Sequence, residues 1–267
     1  MQNLFLMYNE NGDTMKALIT GASSGLGREF AKILSNMGYD LILVARRKKR
    51  LESLQKELNT NVQIISMDIS SSYNCMQLYE LVKKEDIEIL INNAGFGVFG
   101  QFTKTNIEKE LDMIDLNIKS VHMLTKLFLK DFKKKNKGYI LNVASSAAFL
   151  PGPLMASYYA SKSYVFNLTM AIHEELRREN SNVYVGVLCP GPVDTEFNKV
   201  AGVKFSVKSL VADKVCNYAI NKMFNKKILI IPGFQMKFIY AFSRFLPLKM
   251  KLKLTYNIQK SKKDNTK

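Results

Sequence analysis

A tyrosine and a lysine one helical turn apart form the most chemically suggestive pair in the sequence. Residues 157–162 read SYYASK, so Tyr158 lies four positions before Lys162. On a helix, side chains four positions apart stack on one face, and adjacent side chains point about 100° apart. A phenol can give a proton to an alkoxide, and a nearby ammonium stabilises the phenolate left behind. We therefore expect Tyr158 to be a general acid or base, supported by Lys162, and Tyr159 to be a core aromatic.

Short β-branched apolar runs alternate with longer amphipathic segments along most of the chain. Parallel strands need crossover connections, usually helices, so this alternation predicts a doubly wound parallel sheet with helices on both faces. We expect one α/β domain with about seven strands. The predicted strands are 16–20, 41–45, 62–66, 87–92, 139–143, 183–188 and 228–231, and the predicted helices are 28–37, 49–58, 107–132, 157–178 and 210–224.

The loop after the first predicted strand reads TGASSGLG and leads into a helix. Ligands of open parallel sheets bind beyond the C-terminal ends of the strands. Glycines there allow a tight turn and a close backbone approach to a pyrophosphate, which the N–H groups of the helix N-terminus bind. The motif therefore predicts a dinucleotide site. Its residues are Gly21, Ser23, Ser24, Gly25, Leu26 and Gly27.

The residue after the second strand indicates which dinucleotide binds. Enzymes that prefer the unphosphorylated cofactor carry an acidic residue there, whereas this chain has Arg46. A guanidinium can pair with a 2′-phosphate, so we expect NADP (NADPH) rather than NAD. The alternative is that Arg46 is one more exposed arginine in a basic run. The later strands contribute further cofactor-side residues, which are Asp68, Ile69, Asn93, Ala94 and Gly95.

In combination, these motifs resemble those of the short-chain dehydrogenase/reductase family. TGASSGLG, NNAG, Asn117, a Ser-Ser pair, YYASK and CPGPVDT follow one another in the family's order, roughly from Met15 to Gly233. The resemblance implies a Rossmann-type fold and an NADP-dependent oxidoreductase. Such an enzyme would transfer a hydride between NADP(H) and a carbonyl or secondary alcohol, with Tyr158 as the acid or base.

The resemblance also implies roles for individual residues. Lys162 would hydrogen-bond the nicotinamide ribose, and Asn117 would hold a water that relays protons to Lys162. The family's usual spacing selects Ser145, thirteen residues before Tyr158, to bind the substrate oxygen, and Ser146 is the runner-up. The CPGPVDT loop would contact the nicotinamide through Pro190, Gly191, Val193 and Thr195.

Apolar residues near these motifs predict a hydrophobic substrate. A pocket that they line would favour an apolar ketone or alcohol over a small charged acid. Residues 196–208 would form a mobile loop that covers this substrate. The expected lining residues are Phe96, Val98, Ala147, Phe149, Leu150, Met155 and Phe197.

The net charge of +16 is the one unusual compositional feature. No aromatic-interleaved or helix-turn-helix pattern accompanies the basic runs, so we do not expect nucleic acid as a partner. The three cysteines are widely spaced and lack disulfide or zinc spacing, which favours a reducing, cytoplasmic location. No metal is expected, because neither His122 nor His173 has a metal-ligand partner in the sequence.

The chain divides into three parts. Residues 1–14 lack a signal-peptide pattern and are expected to contribute little to stability. Residues 15–232 form the predicted catalytic domain. Residues 233–267 form a basic amphipathic segment in which, from position 236 onward, nine lysines or arginines accompany one acid, Asp264.

The C-terminal segment has the pattern of two amphipathic helices. Phe234, Phe238, Phe242 and Phe245 recur at helical spacing, and Pro247 is expected to end or kink the first helix. We expect these helices to cap the pocket or to contact another subunit of a homodimer or homotetramer, because long apolar side chains are more often buried. Peripheral docking on an anionic membrane is the alternative.

Two other functions stay open at this point. One is a non-catalytic dinucleotide-binding protein, against which the intact Asn, Ser, Tyr and Lys set argues. The other is a protein that binds a membrane surface or nucleic acid, for which the C-terminal segment is the main support. Turnover of a ketone with a nicotinamide cofactor would separate the enzyme from both.

Overall fold

A computed structural model describes residues 14–197, 209–243 and 245–264. Its strands and helices alternate as the sequence pattern predicts. The strands are β1 (Lys16–Thr20), β2 (Asp40–Ala45), β3 (Val62–Ser66), β4 (Ile87–Asn92), β5 (Tyr139–Val143), β6 (Tyr184–Leu188) and β7 (Leu229–Ile230). The α-helices are α1 (Gly25–Asn36), α2 (Lys48–Gln55), α3 (Ser72–Val82), α4 (Ile107–Ile114), α5 (Val121–Lys135), α6 (Ala156–Arg178), α7 (Ala212–Phe224), α8 (Phe234–Ser243) and α9 (Leu248–Asp264).

The strands form one parallel sheet in the order β3-β2-β1-β4-β5-β6-β7. The chain moves outward in one direction from β1 to β3 and in the other from β4 to β7. The loops after β1 and β4 therefore diverge and leave a crevice at the C-terminal ends of these two strands. The predicted Rossmann-type fold is confirmed, and the crevice lies where its dinucleotide site is expected.

Side chains of β1 alternate between two cores, one on each face of the sheet. Ile19 belongs to the core that contains Phe30 of α1, whereas Leu18 belongs to the core that contains Leu124 and Phe128 of α5. All five side chains are at most 3% exposed. Burial on both faces explains why the central strands are apolar without alternation and why the pattern identified them.

Two features of the helices were not predicted. The helix predicted over residues 107–132 is present and runs on to Lys135, but a π-helical turn, Asp115–Ser120, lies inside it, between α4 and α5. Helix α3 was not predicted, because the exposed side chains of Tyr73 and Leu81 weaken its apolar periodicity. The other predicted elements differ from the observed bounds by at most three residues at either end.

The final two helices are separated at Pro247, as predicted, since α8 ends at Ser243 and α9 begins at Leu248. Among the described residues, no helix is both long and apolar enough to cross a membrane. Residues 1–13 and 198–208 lie outside the described residues. The predictions for the N-terminal segment and for most of the substrate-covering loop therefore stay predictions.

Candidate active site

A cavity of about 480 Å³ opens at the C-terminal edge of the sheet. It is lined by all of the predicted cofactor residues except Gly27. Gly27 serves packing instead, because a Cβ at this position would lie 2.3 Å from the carbonyl oxygen of Gly21. Only a glycine lets α1 approach the loop after β1 so closely.

The loops after β1 and β4 are locked together. The Thr20 hydroxyl accepts hydrogen bonds of 3.0 Å from the backbone N–H groups of Asn93 and Ala94. Gly21 has a φ of +68°, and a Cβ there would lie 2.8 Å from the Cα of Ala94. Gly25 at the start of α1 also has a positive φ, of +55°. This narrow glycine cradle fits a dinucleotide pyrophosphate at the N-terminus of α1.

Two arginines flank the outer end of this cradle. Arg46 is paired with Asp68 at 3.5 Å, and two thirds of its side chain is exposed. Arg47 was not predicted to belong to the site. Its guanidinium donates to the hydroxyls of Ser24 at 2.7 Å and Ser23 at 3.1 Å. Both guanidinium groups line the cavity, together with the carboxylates of Asp68 and Glu196 that pair with them.

Glu196 connects the loop after β6 to Arg47 and to a third arginine, Arg50 of α2. Its carboxylate accepts from Arg47 at 3.0 Å and from Arg50 at 2.6 Å. Hydrogen bonds from Arg50 and Arg47 lower the pKa of Glu196, so the carboxylate is charged at neutral pH. Sequence spacing could not reveal this contact, because Glu196 lies 149 residues from Arg47.

Tyr158 projects from α6 into the inner end of the cavity. Its side chain is 8% exposed, and its phenol is hydrogen-bonded to the Ser145 side chain. Burial raises the pKa of Tyr158 well above its ordinary value of 10, and the hydrogen bond from Ser145 opposes this shift only in part. Tyr158 is therefore protonated at neutral pH, which is the form that can donate a proton.

The structure separates the two neighbouring serines. Ser145 caps the 3₁₀ turn Ser146–Phe149, where its Oγ accepts from the N–H of Ala147 at 3.1 Å. This contact leaves the Ser145 hydroxyl proton available to donate. Ser146 also lines the cavity, and its backbone N–H donates to the carbonyl of Pro190 at 2.8 Å. Of the pair, Ser145 is the one hydrogen-bonded to Tyr158, and its catalytic role stays a prediction.

Lys162 lies one turn after Tyr158 on α6. Its Nζ is 5.9 Å from the centroid of the Tyr158 ring and donates to the carbonyl of Val143 at 3.0 Å. Only 5% of the residue is exposed, and burial lowers the pKa of Lys162 to about 8. The ammonium group thus lines the cavity and loses its proton more easily than the ammonium of an exposed lysine.

Asn117 lies in the π-helical turn between α4 and α5 and is fully buried. Its Oδ1 accepts from the N–H of Phe96 at 3.1 Å, and its Nδ2 donates to the Phe96 carbonyl at 2.9 Å and to Ser161 Oγ at 3.1 Å. A Cβ on Gly95 would lie 2.8 Å from Oδ1. The Asn117 amide therefore fixes the loop after β4, and the water relay stays a prediction. Single π-helical turns of this kind are frequent at functional sites.

The apolar end of the cavity was predicted in part. Phe96, Ala147, Leu150, Met155 and Phe197 line it as expected. The prediction was wrong for two residues. Val98 packs against the buried cluster of Met113, Ala147, Met155 and Tyr158. The centroid of the Phe149 ring lies 5.7 Å from that of Phe166 and 4.5 Å from that of Tyr240.

The final helices complete the cavity wall, which is consistent with the predicted cap. Met236 and Ile239 of α8 and Thr255 and Ile258 of α9 line the same cavity. Tyr159 also lines it, and its phenol accepts a hydrogen bond from Gln259 of α9. Tyr159 is thus more than the core aromatic that was expected, because it joins α6 to the last helix.

Comparison with known proteins agrees with this geometry. The family model for short chain dehydrogenases matches residues 15–204, which is more than half of the chain. The chain belongs to the short-chain dehydrogenase family. An uncharacterised oxidoreductase of Staphylococcus epidermidis is 35% identical to this dehydrogenase over 181 residues, covering 67% of the chain and 78% of the relative.

Two further relatives indicate the range of the family. The very-long-chain 3-oxoacyl-CoA reductase of Pyrenophora tritici-repentis is 34% identical over 69% of this dehydrogenase, and the match spans 56% of that reductase. A solved short-chain dehydrogenase of Sphingobium yanoikuyae in complex with NADPH superimposes with a TM-score of 0.78 at 27% identity, covering 89% of this chain and 96% of that one. Another structure of similar fold holds NAD. Both NADPH and NAD therefore occur in solved structures that are similar to this dehydrogenase.

Proposed function

We propose that this dehydrogenase transfers a hydride between NADPH and the carbonyl group of a hydrophobic substrate, with Tyr158 as the general acid. One observation carries the proposal. The buried Tyr158 phenol is hydrogen-bonded to Ser145 and lies above Lys162, at the inner end of a cavity whose outer end is the glycine cradle. A proton donor and a dinucleotide cradle in one cavity are what carbonyl reduction requires.

The residues of the cradle fit a dinucleotide. NADPH, when bound, supplies the hydride. The glycine backbone and the N-terminus of α1 would hold the pyrophosphate, while Arg46 and Arg47 would pair with a 2′-phosphate. Arg47 lies beside Ser23 and Ser24, and Arg46 lines the same end of the cavity. A 2′-phosphate would therefore have two guanidinium partners that an unphosphorylated ribose does not need, which favours NADP over NAD.

Proton transfer is assigned to the residues of α6. As charge develops on the substrate oxygen, the O–H of Tyr158 donates its proton to that oxygen. The Ser145 hydroxyl, beside the phenol, donates a hydrogen bond to the same oxygen and stabilises its charge. The Lys162 ammonium stabilises the phenolate that remains, since an opposite charge nearby favours the ionised form. In the oxidation direction, the phenolate accepts the alcohol proton.

The chemical class of the substrate follows from the cavity wall. Beyond Tyr158 the lining is apolar and includes Phe96, Leu150, Met155 and Phe197. Burial of an apolar chain against such a wall stabilises binding by about 25 cal/mol for each Å² removed from water. The similarity to a very-long-chain 3-oxoacyl-CoA reductase supports a carbonyl on a long apolar chain. Homo-oligomerisation and a cytoplasmic location stay predictions from the sequence.

A substrate panel tests the proposed function. The purified protein is mixed with NADPH or NADH and with ketones that range from short and polar to long and apolar, and cofactor absorbance is followed. We expect oxidation of NADPH that is faster with the apolar ketones. Absence of turnover with every ketone, by a protein shown by calorimetry to bind NADPH, would contradict the proposal and indicate a binding protein.

A further inference from the structure

The last helix, α9, buries two uncharged polar side chains and exposes several apolar ones. Thr255 and Gln259, four positions apart, are 3% and 0% exposed. Met250, Leu254 and Ile258, at the same spacing on another side of the helix, are 56%, 48% and 42% exposed. This is the reverse of the arrangement that packs a helix on a soluble core. The apolar side of α9 is thus left without cover.

Helix α8 has the same property, contrary to the expectation that its aromatic residues are buried. Phe234, Phe238 and Phe242 recur every four residues and are 83%, 61% and 52% exposed. The rings of Phe238 and Phe242 stack on each other, with 5.9 Å between their centroids, rather than on the core. Phe245, just after α8, is 84% exposed. We call eight of the exposed apolar side chains of α8, α9 and the turn between them the C-terminal surface, namely Phe234, Phe238, Phe242, Phe245, Leu248, Met250, Leu254 and Ile258.

The charged residues of α8 and of α9 up to position 263 are all basic. Lys237, Lys249, Lys253 and Lys260 are exposed, and the last three lie on one flank of α9, opposite the flank of the apolar stripe. The sequence contains no aspartate or glutamate at any position from 214 to 263. Whatever covers the C-terminal surface must therefore present negative charge beside an apolar phase.

A second copy of the chain does not meet this requirement. In a two-fold contact the same patch lies on both subunits, so the C-terminal surface would face its own lysines. Its lysines would then lie near the same lysines of the other copy, and residues 214–263 supply no carboxylate to pair with them, which is unfavourable. We propose instead that the C-terminal surface docks reversibly on an anionic phospholipid membrane. The aromatic and aliphatic side chains enter the interface, and the lysines contact the lipid headgroups.

Docking would place the cavity mouth at the membrane. Ile239 and Ile258 line the cavity and are also 41% and 42% exposed, so the mouth and the C-terminal surface adjoin. A substrate dissolved in the lipid would reach Tyr158 without passing through water. This consequence rests on the proposed function, whereas docking itself does not and can be measured without turnover.

Sedimentation with lipid vesicles tests the docking. The full chain is mixed with sucrose-loaded vesicles of phosphatidylcholine alone or of phosphatidylcholine with phosphatidylglycerol, at low and at physiological salt. We expect sedimentation with the anionic vesicles and a bound fraction that falls as salt rises, because salt screens the lysines. Absence of sedimentation with anionic vesicles at low salt would overturn the proposal.

Matched variants locate the contact. Replacing both Phe238 and Phe242 with serine should weaken vesicle binding about tenfold or more, whereas Tyr73→Ser with Leu81→Ser, on the exposed side of α3, should not. Lys253→Gln should weaken binding roughly fivefold, and Lys134→Gln on α5 should leave it unchanged. Equal losses in the α3 or α5 controls would contradict docking through the C-terminal surface.

Measurement of the oligomeric state distinguishes membrane docking from a dimer that forms through the C-terminal surface. Analytical ultracentrifugation of the wild type and of the Phe238→Ser, Phe242→Ser variant compares their masses without lipid. The proposal predicts the same mass for both proteins. A wild-type dimer that dissociates in this variant would assign the C-terminal surface to a second copy and overturn the membrane proposal.

Discussion

Gln259 in the last helix donates a hydrogen bond to the phenol of Tyr159, which lies 100 residues earlier and next to the proposed catalytic tyrosine. Gln259 is fully buried, although it lies on a helix whose neighbouring side chains are exposed. Burial raises the pKa of Tyr159 to about 12, so the phenol stays protonated. This contact attaches α9 to α6 beside the reacting end of the cavity.

Removal of this contact should loosen the cavity wall. We expect Gln259→Ala to destabilise the protein by about 1 to 3 kcal/mol, because the buried Tyr159 phenol loses its partner. Differential scanning calorimetry should show a melting temperature several degrees lower, and KM for a long apolar ketone should rise. Asn257→Ala, on the exposed side of α9, is the matched control and should change neither quantity. Equal behaviour of the two variants would argue that α9 is not held through Gln259.

The cofactor preference should depend on Arg46. Arg46→Ala removes a charged partner of the 2′-phosphate, so the Kd for NADPH should rise about tenfold to a hundredfold while the Kd for NADH changes little. Titration calorimetry with both cofactors measures the ratio of the Kd for NADPH to the Kd for NADH. Arg178→Ala, at an exposed position on α6, serves as the control. An unchanged ratio in Arg46→Ala would mean that Arg46 is only a surface charge and that Arg47 binds the 2′-phosphate without it.

The buried ammonium of Lys162 should make stability depend on pH. Its pKa is about 8 in the folded protein and near 10.5 in the unfolded chain, so between these values the unfolded chain binds more protons. Stability contributed by Lys162 therefore increases as pH rises through this window. We compare the melting temperatures of the cofactor-free wild type and of Lys162→Met. The value for the wild type minus the value for the variant should increase from about pH 8 to pH 10. A constant difference between the two proteins would mean that Lys162 titrates normally.

Much of the site could be predicted because it follows from local rules. Glycine loops, strand ends and the four-residue spacing of Tyr158 and Lys162 all lie within short segments. The spacing selected Ser145 over Ser146, and in the structure Ser145 is the one hydrogen-bonded to the phenol. A doubly wound sheet then brings these segments to one edge, whatever the details of the loops.

The missed features depend on contacts between distant segments. Glu196 meets Arg47 across the cavity, and neither residue has a local pattern that marks it. The π-helical turn at Asn117 adds no distinctive residue to an otherwise helical period. The exposure of Phe238 could not be predicted, because helical spacing identifies a shared face but does not say what covers it.

The adjacent phenols of Tyr158 and Tyr159 should differ in their importance for catalysis. Tyr158→Phe and Tyr159→Phe each remove one hydroxyl from the same cavity wall, but only Tyr158 is hydrogen-bonded to Ser145 and lies above Lys162. The decisive measurement is kcat for NADPH-dependent ketone reduction in both variants, with NADPH affinity measured alongside. We predict that Tyr158→Phe lowers kcat by about a hundredfold to ten-thousandfold with NADPH affinity retained, and that Tyr159→Phe stays within a few-fold of the wild type. Equal losses of kcat in the two folded variants, or full activity in Tyr158→Phe, would contradict the assignment of Tyr158 as the proton donor.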